Sequence, residues 1–387
     1  MIERLILHIG QSKTGTSALQ ALLSGERETL ENSGILFPDI ILHGKNLGLL
    51  EHNAFAESIS AISRYPHLDA EQWTARFIAQ IKEKKAHTLL LSAESFFGTP
   101  QIWTLSPRDD FLTLHRQKVE RLASLLPAKK THIVLYLRRQ DLWLESAIGH
   151  IIRYEGLLAR RVYENNEQIT ALLSPHLDYL RLADMWQEVL APEQFSIVPY
   201  EHDALKGGDT ALDFLERTGL DEIIRLTDNV PKKLENRSWS AECLTIKQEL
   251  NKKEKSKTRE RAIISILNTL NERDDLPRTR FMISQEIKDR VLEEHKADNR
   301  RLAEKYHGPI GSFFSHPEPE KNQNNALEKP DPDSIFSVLR AFEKEYYRPA
   351  RKLAELAHSL KAYGRNKHPG LYSGIKRIVK PATRKSA

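Results

Sequence analysis

Residues 5–9, Leu-Ile-Leu-His-Ile, form a short apolar run that stops at Gly10. A polar loop with a single lysine, Gln11-Ser12-Lys13-Thr14, leads to Gly15, and an amphipathic segment begins at Thr16. Strand, tight loop and helix in immediate succession are the unit from which parallel α/β sheets are wound, so this stretch constrains the fold more than any other. Gly10 and Gly15 let the backbone turn sharply and come close to a ligand. The helix start offers N–H groups with no partner inside the helix, together with the positive end of its dipole. Lys13 adds a full positive charge. The loop therefore reads as an anion site, and the expected anion is a nucleotide phosphate.

The pattern of strand and helix continues along the chain. Strands are expected at residues 4–9, 87–92, 131–137 and 195–200, with a short extended piece at 35–37. Helices are expected at 16–32, 70–85, 111–126, 142–154, 176–189 and 210–218. In the first of these, Leu19, Leu22, Leu23 and Leu30 share one face, as a helix packed on a sheet requires. Strands separated by helices imply right-handed crossovers and a three-layer α/β sandwich around a mostly parallel central sheet. Beyond Pro231 only helical patterns recur, at 241–250, 259–270 and 285–306, and they read as helical additions over the sheet edge. The expected organisation is a core at 1–230, a helical cap at 231–315, a linker at 316–334 and a helical, basic tail at 335–387.

The loop is not a Walker-A motif. Gly10 and Gly15 have the right separation, but Thr16 stands where that motif has its lysine, and Lys13 comes three residues earlier. The dinucleotide pattern G-x-G-x-x-G also fails, because no glycine follows two residues after Gly10. A second motif is more telling. Thr131-His-Ile-Val-Leu-Tyr-Leu137 is an apolar strand followed by Arg138-Arg-Gln-Asp-Leu-Trp-Leu-Glu-Ser146. An arginine at the carboxyl end of a strand lies where open α/β sheets bind ligands, and its guanidinium fork matches phosphate oxygens.

Together these two stretches resemble the sulfotransferases that use 3′-phosphoadenosine 5′-phosphosulfate (PAPS), in their bacterial form with a P-loop-like fold. The first resembles their 5′-phosphosulfate loop. The spacing of Arg138 and Ser146 resembles the pair that grips the 3′-phosphate. Ser92-Ala93-Glu94 after the middle strand, Phe37-Pro38 followed by His52-Asn53, and the segments 235–238 and 299–306 add to the likeness, which covers about residues 1–315. The resemblance implies sulfuryl transfer from PAPS to a hydroxyl by in-line displacement, on a carbohydrate or glycolipid acceptor, without a metal.

It also implies roles. Gly10, Ser12, Thr14, Gly15, Thr16 and Ser17 would hold the phosphosulfate. Lys13 would meet the charge that builds on the bridging oxygen as the S–O bond breaks. Arg138 and Ser146 would recognise the 3′-phosphate, with Arg139 taking over if the strand register slipped by one. A base must take the acceptor's proton; Glu94 is the first choice and His52 its rival, while His43 is a weaker loop candidate and His8 is read as structural. The alternatives are a P-loop nucleotide kinase, which the position of Lys13 disfavours, and a catalytically silent binding protein on the same fold.

Composition narrows the setting. Of the 58 Lys and Arg residues, eight lie in 361–387, which holds no acid, so the basic excess is local to the tail. A nucleic-acid enzyme would spread positive charge over a working face, and no nucleic-acid partner is expected. The tail's interleaved apolar residues could contact an anionic membrane surface. Cys243 is the single cysteine, which excludes an intrachain disulfide. A cytoplasmic protein, peripheral at most to the inner membrane face, is the expectation.

Overall fold

The computed structural model describes residues 2–42, 45–46, 52–61, 69–98, 108–154, 166–224, 238–251, 257–280, 283–308, 311–315 and 330–346. The strands are β1 (Ile2–His8), β2 (Ile35–Leu36), β3 (Ile41–Leu42), β4 (Lys45–Asn46), β5 (Thr88–Ser92), β6 (Ala128–Leu137) and β7 (Gln194–Pro199). Five of them form a parallel sheet in the order β2-β5-β1-β6-β7, and β3 and β4 make a separate antiparallel pair. Helices flank the sheet, so the expected α/β sandwich is the fold, with every strand pair of the central sheet parallel.

The reason lies in the strand sequences. Leu5, Ile6 and Leu7 on β1, Leu89 to Leu91 on β5 and Ile133 to Leu137 on β6 are all fully buried, so both faces of the sheet need a covering layer. On one face Ile6, Leu90, Val134, Tyr136 and Val198 pack with Leu19, Leu23 and Leu30 and with Phe214 and Leu215. The helix expected at 16–32 is two, α1 (Thr16–Gly25) and α2 (Arg27–Asn32), with the break at Glu26 after the weak helix former Gly25. The remaining short and middle helices are α3 (Asn53–Ser58), α4 (Ala70–Glu83), α5 (Glu94–Phe97), α6 (Arg108–Leu125) and α7 (Gln140–Tyr154).

Two compact units share the chain. The first comprises Met1–Trp143, Leu172–Leu234 and Arg290–Glu320, and holds the sheet. Its last segment closes onto β7: His307 Nε2 pairs with the Ile197 carbonyl at 2.7 Å, and the Ser315 hydroxyl donates to Glu201 at 2.6 Å. The second unit comprises Leu144–Ala171, Glu235–Asp289 and Lys321–Ala387. Among its described residues it is helical. There Glu145 is buried against Lys288 (2.8 Å), and Arg153 lies over the rings of Tyr154 and Trp239. Residues 231–315, read from sequence as one cap, are thus divided: 235–289 belong to the second unit and 290–315 to the first. The tail beyond Tyr346, most of the linker and His43 lie outside the described residues. No helix among the described residues is long and apolar enough to cross a membrane.

Candidate functional site

β1 and β6 are neighbours, so the loop after β1 and the residues after β6 emerge side by side at the carboxyl edge of the sheet. Ile9 N–H donates to the Val134 carbonyl at 3.1 Å, carrying the pairing one residue past the strand. Beyond that, side chains take over. Gln11 is buried; its Oε1 accepts the Arg138 N–H at 2.9 Å, and its Nε2 donates to the Tyr179 hydroxyl at 2.8 Å. That hydroxyl donates in turn to the Arg138 carbonyl at 2.7 Å. The three bonds form a closed ring that fixes Arg138 to the loop. Trp143 adds a fourth tie, donating from Nε1 to the Ser12 carbonyl at 3.1 Å. Arg138 Nη1 reaches the Lys13 carbonyl at 3.5 Å.

The loop itself is bent by two left-handed residues, Lys13 (φ 72°) and Gly15 (φ 78°). Such reversals turn backbone N–H groups toward one concavity, the arrangement that binds anions. Gly15 is the residue before α1, and no side chain caps that helix among the described residues. A Cβ on Gly15 would sit 2.7 Å from Thr210 Oγ1, and one on Gly10 would sit 2.7 Å from His8 Nε2, so side chains are excluded at both. The Thr14 hydroxyl is committed to the Gln11 carbonyl (2.6 Å), and the Thr14 carbonyl accepts from Thr210 Oγ1 (3.1 Å). Thr14 therefore offers its backbone rather than its hydroxyl to a ligand. Ser17 is exposed, while Ser12 and Lys13 are half-buried.

Glu94 opens α5 directly after β5, on the other side of β1 from Arg138. Its carboxylate is held by two donors. Thr16 Oγ1, at the first residue of α1, donates to Oε1, and Asn53 Nδ2 donates to Oε2 at 3.0 Å. The Asn53 amide cannot be reversed, because its Oδ1 accepts the Ser95 N–H at 2.8 Å. Beneath α5, the buried Lys118 donates to the carbonyls of Ser95 (3.0 Å) and Gly98 (2.7 Å). Burial pushes its ammonium down to about 7.

His52 is placed otherwise than a base requires. It is buried, its Nδ1 accepts the Ser92 N–H at 3.1 Å, and its Nε2 pairs with the Pro38 carbonyl at 3.1 Å. With Nδ1 an acceptor, Nε2 carries the proton and both nitrogens serve the backbone. Burial lowers the imidazole to about 4, and Phe37 packs edge-on at 4.7 Å. Residues 52 and 53 thus divide the work: the histidine anchors the segment and the asparagine holds Glu94. His8 is likewise internal, with Nδ1 at 2.7 Å from Ser92 Oγ and burial lowering it to about 3.

The two arginines are placed differently. Arg139 makes a fork with Asp141, Nε to Oδ1 at 2.7 Å and Nη2 to Oδ2 at 2.9 Å, and is nearly buried. Arg138 is the one bound into the loop ring. Ser146 is half-buried on α7, in the part of that helix that belongs to the second unit. Asn299, singled out only as part of a segment, pairs twice with Gln140, at 2.8 and 3.1 Å. Gln11 and Asn53 lie inside the segments that carry the resemblance but with no role assigned to them, and Tyr179 and Thr210 lie outside any motif, yet these four make the contacts to Arg138, Glu94 and Thr14. Their partners lie up to 196 residues away.

The buried histidines make stability depend on pH. His8, His52 and His176 have folded-state values lowered to about 3, 4 and 3 by burial. Each protonates near 6.5 once unfolded. Their contribution is complete above pH 6.5 and is lost as pH falls toward 4, because only the unfolded chain then binds the protons. Between pH 6.5 and 5 each should remove about 1.5 kcal/mol of unfolding free energy. His176→Phe keeps an aromatic ring against Phe111, 4.8 Å away. Denaturant titrations at the two pH values should show that variant losing about 1.5 kcal/mol less than the natural chain; an unchanged loss would contradict the assignment.

Comparison with known proteins adds little. No family model matches the chain, and no solved structure matches it. An uncharacterized protein of Archaeoglobus fulgidus is 24% identical over 206 residues, which cover 52% of this chain. The match spans about half the length of that relative, 53%.

Proposed function

We propose that this chain transfers a sulfuryl group from PAPS to a hydroxyl on an acceptor, with a carbohydrate or glycolipid as the expected class. The observation that carries the reading is the Gln11 ring, which ties a phosphate-type loop to Arg138 at one sheet edge. A donor with phosphate at both the 5′ and 3′ positions needs two anion sites held at a fixed separation, and an ordinary nucleoside triphosphate does not.

The chain's own groups fit such a donor. Two left-handed residues and two positions closed to any Cβ form the cradle for the phosphosulfate. Arg138 supplies a guanidinium fork for the 3′-phosphate. Lys13, at the bend of the loop, neutralises charge on the bridging oxygen as it leaves sulfur. Glu94 takes the acceptor's proton as the new O–S bond forms, and adenosine 3′,5′-bisphosphate is the leaving group. Positioning and fixed charge do most of this work, as in phosphoryl transfer.

Calorimetry with adenosine 3′,5′-bisphosphate and with ATP tests the reading. The bisphosphate should bind roughly tenfold or more tighter than ATP. Tighter binding of ATP, or indifference to the 3′-phosphate, would overturn it.

A further inference from the structure

We propose that the Thr16 hydroxyl serves Glu94 and the donor in turn, so that filling the donor site is what releases Glu94 to act as a base. The inference rests on the sulfuryl-transfer reading and concerns the order of events within it. Thr16 stands at the junction of the two halves of the site. It is the first residue of α1, directly after the left-handed Gly15, and its hydroxyl donates to Glu94 Oε1. A threonine hydroxyl has one proton and can donate to one acceptor at a time.

The two donors on Glu94 differ in kind. Asn53 is fixed: turning its amide would set its oxygen against the carboxylate and its NH₂ against the Ser95 N–H. The Thr16 proton rotates about a single Cβ–O bond. A phosphosulfate in the loop brings anionic oxygens to the N–H and the hydroxyl of the first helical residue, and a charged oxygen there draws the proton away from Glu94. No covalent bond changes in this step. Glu94 loses one of its two hydrogen-bond donors and gains a negative neighbour, and both changes on donor binding favour its taking up a proton. In the empty site two donors hold the carboxylate; in the loaded site Asn53 alone remains. Donor binding therefore precedes deprotonation of the acceptor.

Other charges surround α5, and the test must separate them. Glu57 lies 3.4 Å from Ser95 Oγ, Lys118 holds the Ser95 and Gly98 carbonyls, and Lys13 lies in the loop. All three are retained in the variants used, so a difference between variants cancels them.

The full-length protein is titrated with adenosine 3′,5′-bisphosphate at pH 5.5 in two buffers of different ionisation heat, which counts the protons taken up per nucleotide. The natural chain should take up more than Glu94→Gln, and the excess is the Glu94 share. Thr16→Ser, which keeps the hydroxyl, should retain that excess, whereas Thr16→Val should lose more than half of it. An excess in Thr16→Val equal to that of the natural chain overturns the inference. No excess over Glu94→Gln in the natural chain overturns it too, whatever Thr16→Val does. Failure of the natural chain to bind the bisphosphate is a different result: it removes the sulfuryl-donor reading, and this inference with it.

Discussion

Lys13→Gly is expected to be at least as stable as Lys13→Ala and to lose sulfuryl transfer by two to three orders of magnitude. The two effects have separate causes. Lys13 holds φ at 72°, a left-handed conformation that costs an L-residue roughly 1–2 kcal/mol and glycine nothing. Glycine's extra freedom in the unfolded chain takes back about 0.4–1 kcal/mol. Measured against the alanine variant, which also lacks the lysine side chain, glycine should be between about zero and 1.6 kcal/mol more stable. The ammonium, by contrast, is proposed to meet charge as it develops, and removing one such group costs about 10²–10³ in rate. Lys13→Ala keeps the strained backbone without the charge, so it should melt below the glycine variant while being equally slow. Thermal melts and single-turnover transfer assays read the two halves independently. Turnover within a few-fold of the natural chain would remove the lysine from the chemistry. A glycine variant less stable than the alanine one would remove the strain.

Arg138→Ala should bind adenosine 3′,5′-bisphosphate roughly 30- to 160-fold more weakly, a loss of about 2–3 kcal/mol for the hydrogen bonds of one charged group. Adenosine 5′-phosphate, which lacks the 3′ group, should bind the variant and the natural chain alike. The selectivity of the prediction matters more than its size. Gln11 is bonded to the backbone N–H of residue 138, and Tyr179 to its carbonyl, so the loop ring survives the substitution. Equal weakening for both nucleotides would mean that Arg138 shapes the loop rather than reading the 3′-phosphate. Arg139→Ala is the companion measurement. Its fork to Asp141 is structural, and losing it should lower stability without discriminating between the two nucleotides.

The sheet was legible because strands covered on both faces need apolar residues at every position, and Leu89-Leu-Leu91 and Ile133 to Leu137 supply them. The meeting of the segments after β1 and β6 was legible because loops after adjacent strands meet whatever lies between them in sequence. Short elements were not. α5 has four residues, too few for any period, yet it carries Glu94. The helix read at 176–189 begins as a separate turn, Ser174–Leu177, and restarts at Tyr179 after Asp178 leaves the helical region. His52 shows the deeper limit. Its residue type suggested a base, but its role was decided by Pro38 and Ser92, which occupy its nitrogens from other segments. Gln11 sits within the most readable motif of the chain, and only the packing of Tyr179 against Arg138 gives it a purpose.

The first unit is assembled from three separated stretches, and this has a consequence for synthesis on the ribosome. When residue 143 has emerged, four strands of the sheet exist and β6 is its open edge. Its pairing partner β7 lies some fifty residues further on, and the segment that closes over β7 comes after residue 290. For that interval the nascent chain presents a long apolar strand with unsatisfied backbone groups, the kind of edge that recruits other chains. Synthesis of the intervening helices delays closure of the sheet. The yield of native protein should therefore depend on how quickly translation reaches the end of the sheet unit, and on what shields β6 until then.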